Sequence, residues 1–278
     1  MRHYDFTISR RLLTFLAAGF LTISAQSAPA PTAGLTHAQK EEFLLKAKIV
    51  TAKPAAKGIT TTLRATLSDG QLTHDASIQR IDDTKHNYET NMGTEMVFRD
   101  SWEFNVAAYK LDRLLGLNMI PATVERVYQG THGSFTWWVD DVLMDEGERQ
   151  SKKQQSPDKQ TWDDQMSIVN VFDQLIYNID RNVGNLLYDK DWQIWMIDHT
   201  RAFRTNTDLM DAKVLTRCDS ALLEKLKQLD AATLKKEIGA YDIDSNRIKG
   251  LLARRDKIVK IFEQKGPSAM FTSPRLPD

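Results

Sequence analysis

Two short segments carry residue types and spacings suited to chemistry: Asp180-Arg181-Asn182-Val183-Gly184-Asn185 and Ile197-Asp198-His199. An acidic residue just after an apolar helical stripe, and an amide five positions later in the same loop, can point into one cavity. Leu186-Leu187 then leads through a turn at Tyr188-Asp189-Lys190-Asp191 into the apolar run Trp192 to Ile197, which returns Asp198 to the side of Asn185. Two carboxylates and one amide oxygen are hard oxygen donors, suited to Mg2+ or Mn2+ and poor for soft metals. If Asn185 and Asp198 hold a metal, Asp180 stays available to orient a nucleophile and accept its proton. That division of labour serves phosphoryl transfer.

The elements that must position these groups follow from periodicity. Ile59 to Leu67 is rich in β-branched residues, Ser68-Asp69-Gly70 is a hairpin signal, and Asp75 to Ile81 resumes as a partner strand. Phe104, Ala107, Ala108, Leu111, Leu114 and Leu115 recur at helical spacing, with Asp100 or Ser101 as the expected cap and Gly116 and Pro121 as stops. Ala122 to Tyr128 and Ser134 to Val142 read as strands. Thr36 is a candidate cap for a helix over His37 to Val50. In the second half Ile168, Val169, Val171, Phe172, Leu175, Ile176 and Ile179 form a helical stripe that runs into the polar loop at Asp180. Trp192 to Ile197 reads as a buried strand, and helices over Ala221 to Leu229 and Asn246 to Gln264 follow. The fold class is therefore α+β in two lobes: a β-rich amino lobe, a mainly helical carboxy lobe, and the polar loop at their junction.

The order of these parts resembles a known superfamily. Asp180 to Asn185 with Asp198 is similar to the catalytic and metal-binding loops of the protein-kinase-like superfamily. The resemblance is to its atypical branch of phosphatidylinositol 3-/4-kinases, HipA-type kinases and secretory-pathway kinases. Asn105 to Gly116, followed by Ile120-Pro121, resembles the amino-lobe helix and next strand of that branch. The resemblance covers about 58–203 and implies a two-lobed kinase-like fold, a nucleotide such as ATP, and Mg2+ or Mn2+ as cofactors. It implies Asp180 as the catalytic residue and Asn185 and Asp198 as the metal ligands. Nucleotide contacts would come from Gln79 and Asn105 and from Thr60 and Thr61 in a phosphate loop with few glycines.

The pattern departs from a kinase at two positions. Gln79 stands where a strand lysine is expected, and Asn105 stands where its glutamate partner is expected. A neutral amide pair can replace an ion pair, whereas losing one member alone would strand a charge. Three functions therefore stay open: an ATP-dependent phosphotransferase as the leading expectation, a pseudokinase acting as a nucleotide-binding or regulatory module, or a nucleotidyl (AMP) transferase. The acceptor, whether protein, lipid head group or sugar, is not legible.

Other residues divide between chemistry and packing. Arg181 either steers phosphate or braces its loop. Trp137 and Trp138 either flank an adenine pocket or belong to the core. His199 reads as a packing residue, Trp192 and Trp195 as structural, Cys218 as a quiet core thiol, and Arg254-Arg255-Asp256-Lys257 as a solvated helix face.

Composition removes several classes. A chain of 278 residues, 41% hydrophobic and 27% charged, is globular rather than disordered. With 37 basic and 37 acidic side chains it has no net charge, against a nucleic-acid partner. A single cysteine excludes an intrachain disulfide and a cysteine-rich zinc site. Arg2, Arg10 and Arg11 precede the apolar stretch Leu12 to Ile23 and then Ser24, Ala25, Ser27 and Ala28, the pattern of a signal peptide over 1–27. The stretch is too short to span a bilayer comfortably, so the expected product is exported, periplasmic or extracellular, with no stable membrane span after cleavage. The expected organisation is 28–57 as linker and N-terminal helix, 58–136 as amino lobe and 137–278 as carboxy lobe.

Overall fold

The computed structural model describes residues 34–55, 62–90 and 93–273. The expected signal peptide and the phosphate-loop residues Thr60 and Thr61 lie outside them.

Helix α1, His37–Lys46, starts with a reciprocal cap: Thr36 Oγ1 accepts from Gln39 N, and Gln39 Oε1 accepts from Thr36 N. It stops four residues short of the expected Val50. Ile49, Val50 and Thr51 instead lie in strand β1, Lys48–Pro54, which pairs antiparallel with β2, Leu63–Ser68. β-branched side chains fit the pleated ladder better than the crowded turns of a helix. The amino-lobe sheet therefore begins at Lys48 rather than at Gly58. At the β2 turn, Asp69 Oδ1 accepts the amides of Gln71 and Leu72, and Gly70 takes the left-handed conformation. Strand β3, Thr73–Gln79, returns from it.

A hairpin of β4, Asp82–Thr90, and β5, Gly93–Ser101, stands apart from that sheet and leads into α2, Glu103–Leu115. The helix start differs from expectation. Trp102 occupies the cap position with helical dihedrals, Ser101 Oγ accepts from Glu103 N at 3.3 Å, and Asp100 is directed instead to Arg201. Gly116 ends α2 at φ 68°. Strands β6, Thr123–Tyr128, and β7, Thr131–Trp137, complete a five-stranded antiparallel sheet in the order β1-β2-β3-β7-β6. Ala65, Leu67, Ala76, Ile78 and Phe135 join Phe104, Ala107, Ala108 and Leu111 of α2 in the core. Gly133 is required by contact: a Cβ there would sit 2.6 Å from the Gln79 carbonyl oxygen.

β7 stops at Trp137, so the expected strand to Val142 is two strands. β8, Val142–Asp145, belongs to a second sheet with β9, Leu186–Asp189, and β10, Ile194–Met196, in the order β10-β9-β8. Between them run α3, Glu146–Ser151, and α4, Lys159–Ile176. β11, Cys218–Asp219, then leads into α5, Ser220–Gln228, α6, Ala231–Ile238, and α7, Ser245–Lys265. β12, Met270–Phe271, pairs parallel with β11. No helix among the described residues is long and apolar enough to cross a membrane.

The basic run of α7 is solvated at Asp256 and Lys257 but not at its two arginines. Arg254 is fully buried and donates from Nε to Leu175 O and from Nη1 to the carbonyls of Arg204 and Asn206. Desolvation pulls its guanidinium down to about 10. It ties the end of α4 to the chain that follows Asp198. Arg255 also turns inward, onto the carbonyls of Leu226 and Leu229.

Candidate active site

The loop that carries Asp180 is folded by its own short polar side chains. α4 ends at Tyr177 in the left-handed conformation, earlier than the expected Ile179. Asn178 Nδ2 then donates to Asp173 Oδ1, and Asn178 Oδ1 accepts from Asp180 N. Asn182 Oδ1 accepts from Gly184 N, and Asn185 Nδ2 donates to the Asp180 carbonyl at 3.1 Å. Asn and Asp side chains compete with the backbone in this way, which is why they stop a helix and shape a tight loop.

Arg181 braces the loop. Its Nε and Nη2 make a two-pronged bond to the Asp173 carboxylate at 2.9 and 3.0 Å. Its Nη1 reaches the carbonyls of Asn185 and Ile197 at 3.0 and 2.9 Å. A guanidinium always donates, so its Nη2 contact at 2.9 Å makes His199 Nε2 an acceptor and places the imidazole proton on Nδ1. Burial, and then the Arg181 charge, hold His199 well below the ordinary histidine range. His199 packs edge-on against Phe172. It is a neutral support of the loop.

Asp198 is brought beside Asn185 through the backbone: Ile197 N donates to Asn185 O at 3.1 Å. Asp198 adopts φ 54°, an unusual conformation for a residue with a side chain, and Thr200 Oγ1 donates to its Oδ1 at 3.1 Å. Burial first, and the nearby Asp100 and Asp180 charges second, raise its carboxyl above the ordinary range. Ser101 N donates to Thr200 O at 2.9 Å, fixing this segment to the start of α2.

Gln79 and Asn105 meet. Asn105 Nδ2 donates to Gln79 Oε1 at 2.7 Å and lies 3.2 Å from Ser134 Oγ, while its Oδ1 accepts from His199 N at 2.7 Å. Both amides are buried. One side chain thus joins β3, β7 and α2 to the residue after Asp198.

Three further residues, Arg201, Asp100 and Asp173, belong to this neighbourhood, and sequence reasoning missed all three as site residues. Arg201 Nε donates to Asp100 Oδ2 at 2.7 Å and its Nη1 to Asp180 Oδ2 at 3.0 Å. Asp100 is distant in sequence, so its only early signal is a charge before an apolar helix, which reads as a cap. Asp173 likewise looks like an exposed break in the α4 stripe until Arg181 folds onto it.

Several expected alternatives resolve. Trp137 is buried, stacked on His74 with ring centroids 3.7 Å apart, and donates Nε1 to Asp140. Arg64 covers the Trp138 ring. A cavity of about 240 Å³ beside this connection is lined by Trp137, Asp140, Asp189 and Trp195, and none of Gln79, Asp180, Asn185 or Asp198 lines it. Trp192 packs on Tyr188, and Trp195 donates to Asp189. Cys218 is buried, its thiol pushed up to about 12 chiefly by burial. Among the described residues no three His, Cys, Asp or Glu side chains converge as a metal-holding set. The available donors at the junction are carboxylate and amide oxygens.

No protein-family model and no curated protein matches the chain. Solved structures do. A hydra Fam20 solved with sugar superimposes with a TM-score of 0.61 at 17% identity, over 84% of this chain and 92% of its own. A Golgi casein kinase with Mn and ADP bound gives a TM-score of 0.55 at 13% identity, over 85% of this chain and 78% of its own. Identities this low carry shape alone. By that shape, with an antiparallel amino-lobe sheet, α2 and a helical carboxy lobe, the chain has a two-lobed kinase-like fold.

Proposed function

We propose that this protein is an exported kinase-like phosphotransferase that uses a nucleotide, ATP in the first instance, with Mg2+ or Mn2+. One observation carries the reading. Asp180, Asn185 and Asp198 come from separate turns yet are tied to one another by Asn185 Nδ2 to Asp180 O, Ile197 N to Asn185 O, and Arg181 across both strands. The donor chemistry fits a hard divalent cation. Arg201 bonds Asp100 and Asp180, and Asp198 lies within the field of both carboxylates, a concentration of negative charge that a divalent ion matches. Asp198 and the amide oxygen of Asn185 would hold it, and when bound it would neutralise charge on the phosphates. Asp180, exposed enough to reach solvent, orients the acceptor hydroxyl. The Mn and ADP of the Golgi casein kinase, which shares the fold, support the same cofactors here. On this reading residues 58–136 form the nucleotide-covering lobe and 137–278 the catalytic lobe.

The buried Gln79–Asn105 pair favours a second reading, a pseudokinase that binds nucleotide without turning it over, because neither residue brings charge to the phosphates. One experiment separates the two. The protein should gain thermal stability from ATP or ADP with Mn2+, since a ligand at about a hundred times its Kd contributes about 2.7 kcal/mol. ATP turnover should then fall by roughly a thousandfold or more in Asp180→Asn while nucleotide binding persists. Stabilisation with no wild-type turnover selects the pseudokinase. No stabilisation by any nucleotide with either metal removes both readings.

A further inference from the structure

The two bonds of Arg201 lie in different environments. Asp100 is anchored inside: its side chain is 4% exposed, and its second oxygen, Oδ1, is buried with no hydrogen-bond partner. Pulling Arg201 away altogether would leave a buried carboxylate without its cation, which is costly. Asp180, at 37% exposed, is on the wet side. An ion pair in that setting contributes little and exchanges readily. The guanidinium also keeps part of its surface open to solvent and lies against the Phe98 ring. Its planar fork matches a phosphate as well as it matches a carboxylate. Across the junction, the position from which a kinase lysine addresses the phosphates is filled by neutral Gln79, whose Oε1 is already committed to Asn105.

We propose that Arg201 supplies the missing phosphate-binding cation: anchored through Nε to Asp100, it exchanges its Nη1 bond to Asp180 for an oxygen of the nucleotide phosphates, and so releases Asp180 to the acceptor. This rests on the nucleotide-dependent reading above and adds to it the residue that senses the phosphate chain. Without nucleotide Arg201 occupies Asp180. With nucleotide the same side chain turns through one bond while its buried anchor holds.

The test compares adenosine, AMP, ADP and ATP by calorimetry, with Mn2+ and in its absence, for the wild type and for Arg201→Gln, Arg201→Lys and Asp100→Asn. In the wild type affinity should rise with phosphate number and weaken with salt. In Arg201→Gln, ATP should lose about tenfold or more while adenosine stays within about twofold, flattening the series, as expected when a charged donor becomes neutral. Arg201→Lys keeps the charge without the fork and should lie between, and it serves where the Gln variant fails to fold. Asp100→Asn, which loosens the anchor, should also flatten the series. An equal loss for adenosine and ATP in the Arg201 variants would make Arg201 merely structural and overturn the proposal. An unchanged ATP-to-adenosine ratio would overturn it too. A wild type that binds none of the four would overturn this inference together with the phosphotransferase reading. Wild-type binding with an unflattened series in the variants sinks the inference alone.

Discussion

Asn105 Nδ2 donates to Gln79 Oε1 at 2.7 Å, so β3 and α2 are joined by a buried amide pair. The pair is neutral and satisfied, and Asn105 Oδ1 goes on to hold His199 N. Strand, helix and the loop after Asp198 are thus coupled without any charge having to be desolvated. Such a network is sensitive to half-replacement.

Gln79→Lys alone should destabilise the protein by about 1–3 kcal/mol, because it leaves a buried cation without its carboxylate. Adding Asn105→Glu should recover much of that, with a coupling energy of roughly 1 kcal/mol or more. A double-mutant cycle on urea unfolding measures it. Strictly additive effects would show that the Gln79–Asn105 contact is energetically idle.

Gly133→Ala should cost about 1–3 kcal/mol in the same assay, as an overpacked site with no room to relax. The added Cβ would stand 2.6 Å from Gln79 O and 2.7 Å from Arg80 Cγ, and the first is backbone that cannot swing aside. A change within 0.3 kcal/mol would mean that β7 gives way easily.

Asp173→Asn should lower stability by about 3–5 kcal/mol, the range for removing one member of a buried pair, since Arg181 is held by both carboxylate oxygens. It should also disorder the Asp180 loop, read as faster amide exchange at Asn182 to Asn185. A loss below about 0.5 kcal/mol with unchanged exchange would contradict the bracing role.

Asp112 gives the pH prediction. Burial raises its carboxyl to about 7, against the opposing pull of the Met119 amide on Oδ1. A raised folded pKa means that the folded state binds the proton more tightly than the unfolded chain. Its contribution is fully present below the ordinary carboxylate range and is lost as pH rises through about 7. Asp112→Asn stays neutral and keeps an oxygen for Met119 N, so its melting temperature should gain on the wild type between pH 4 and 8. Parallel curves would place the titration elsewhere.

How much of this was legible in the sequence depends on range. Local chemistry read correctly: the Thr36 cap, the Asp69-Gly70 turn, the Gly116 stop and the loop of Asn and Asp side chains all act within a few residues of themselves. The Gln79–Asn105 contact was also legible, through the resemblance, although 26 positions separate the two. What failed was long-range. Lys48 to Val50 looks helical beside α1 until β2 offers it a ladder. Asp100 looks like a cap until Arg201 arrives from 101 positions away, and Arg254 looks solvated until three carbonyls close over it. A charge shows its type in a sequence but not its partner.

The central claim is that Asp198 and Asn185 hold a divalent ion for a nucleotide, and calorimetric titration of Mn2+ with ADP into wild type and Asp198→Ala tests it most directly. The wild type should bind ADP more tightly with Mn2+ than without it, and Asp198→Ala, still folded by circular dichroism, should lose that metal-dependent gain entirely. Equal Mn2+-dependent affinity in the two proteins would contradict the assignment and move the site elsewhere in the fold.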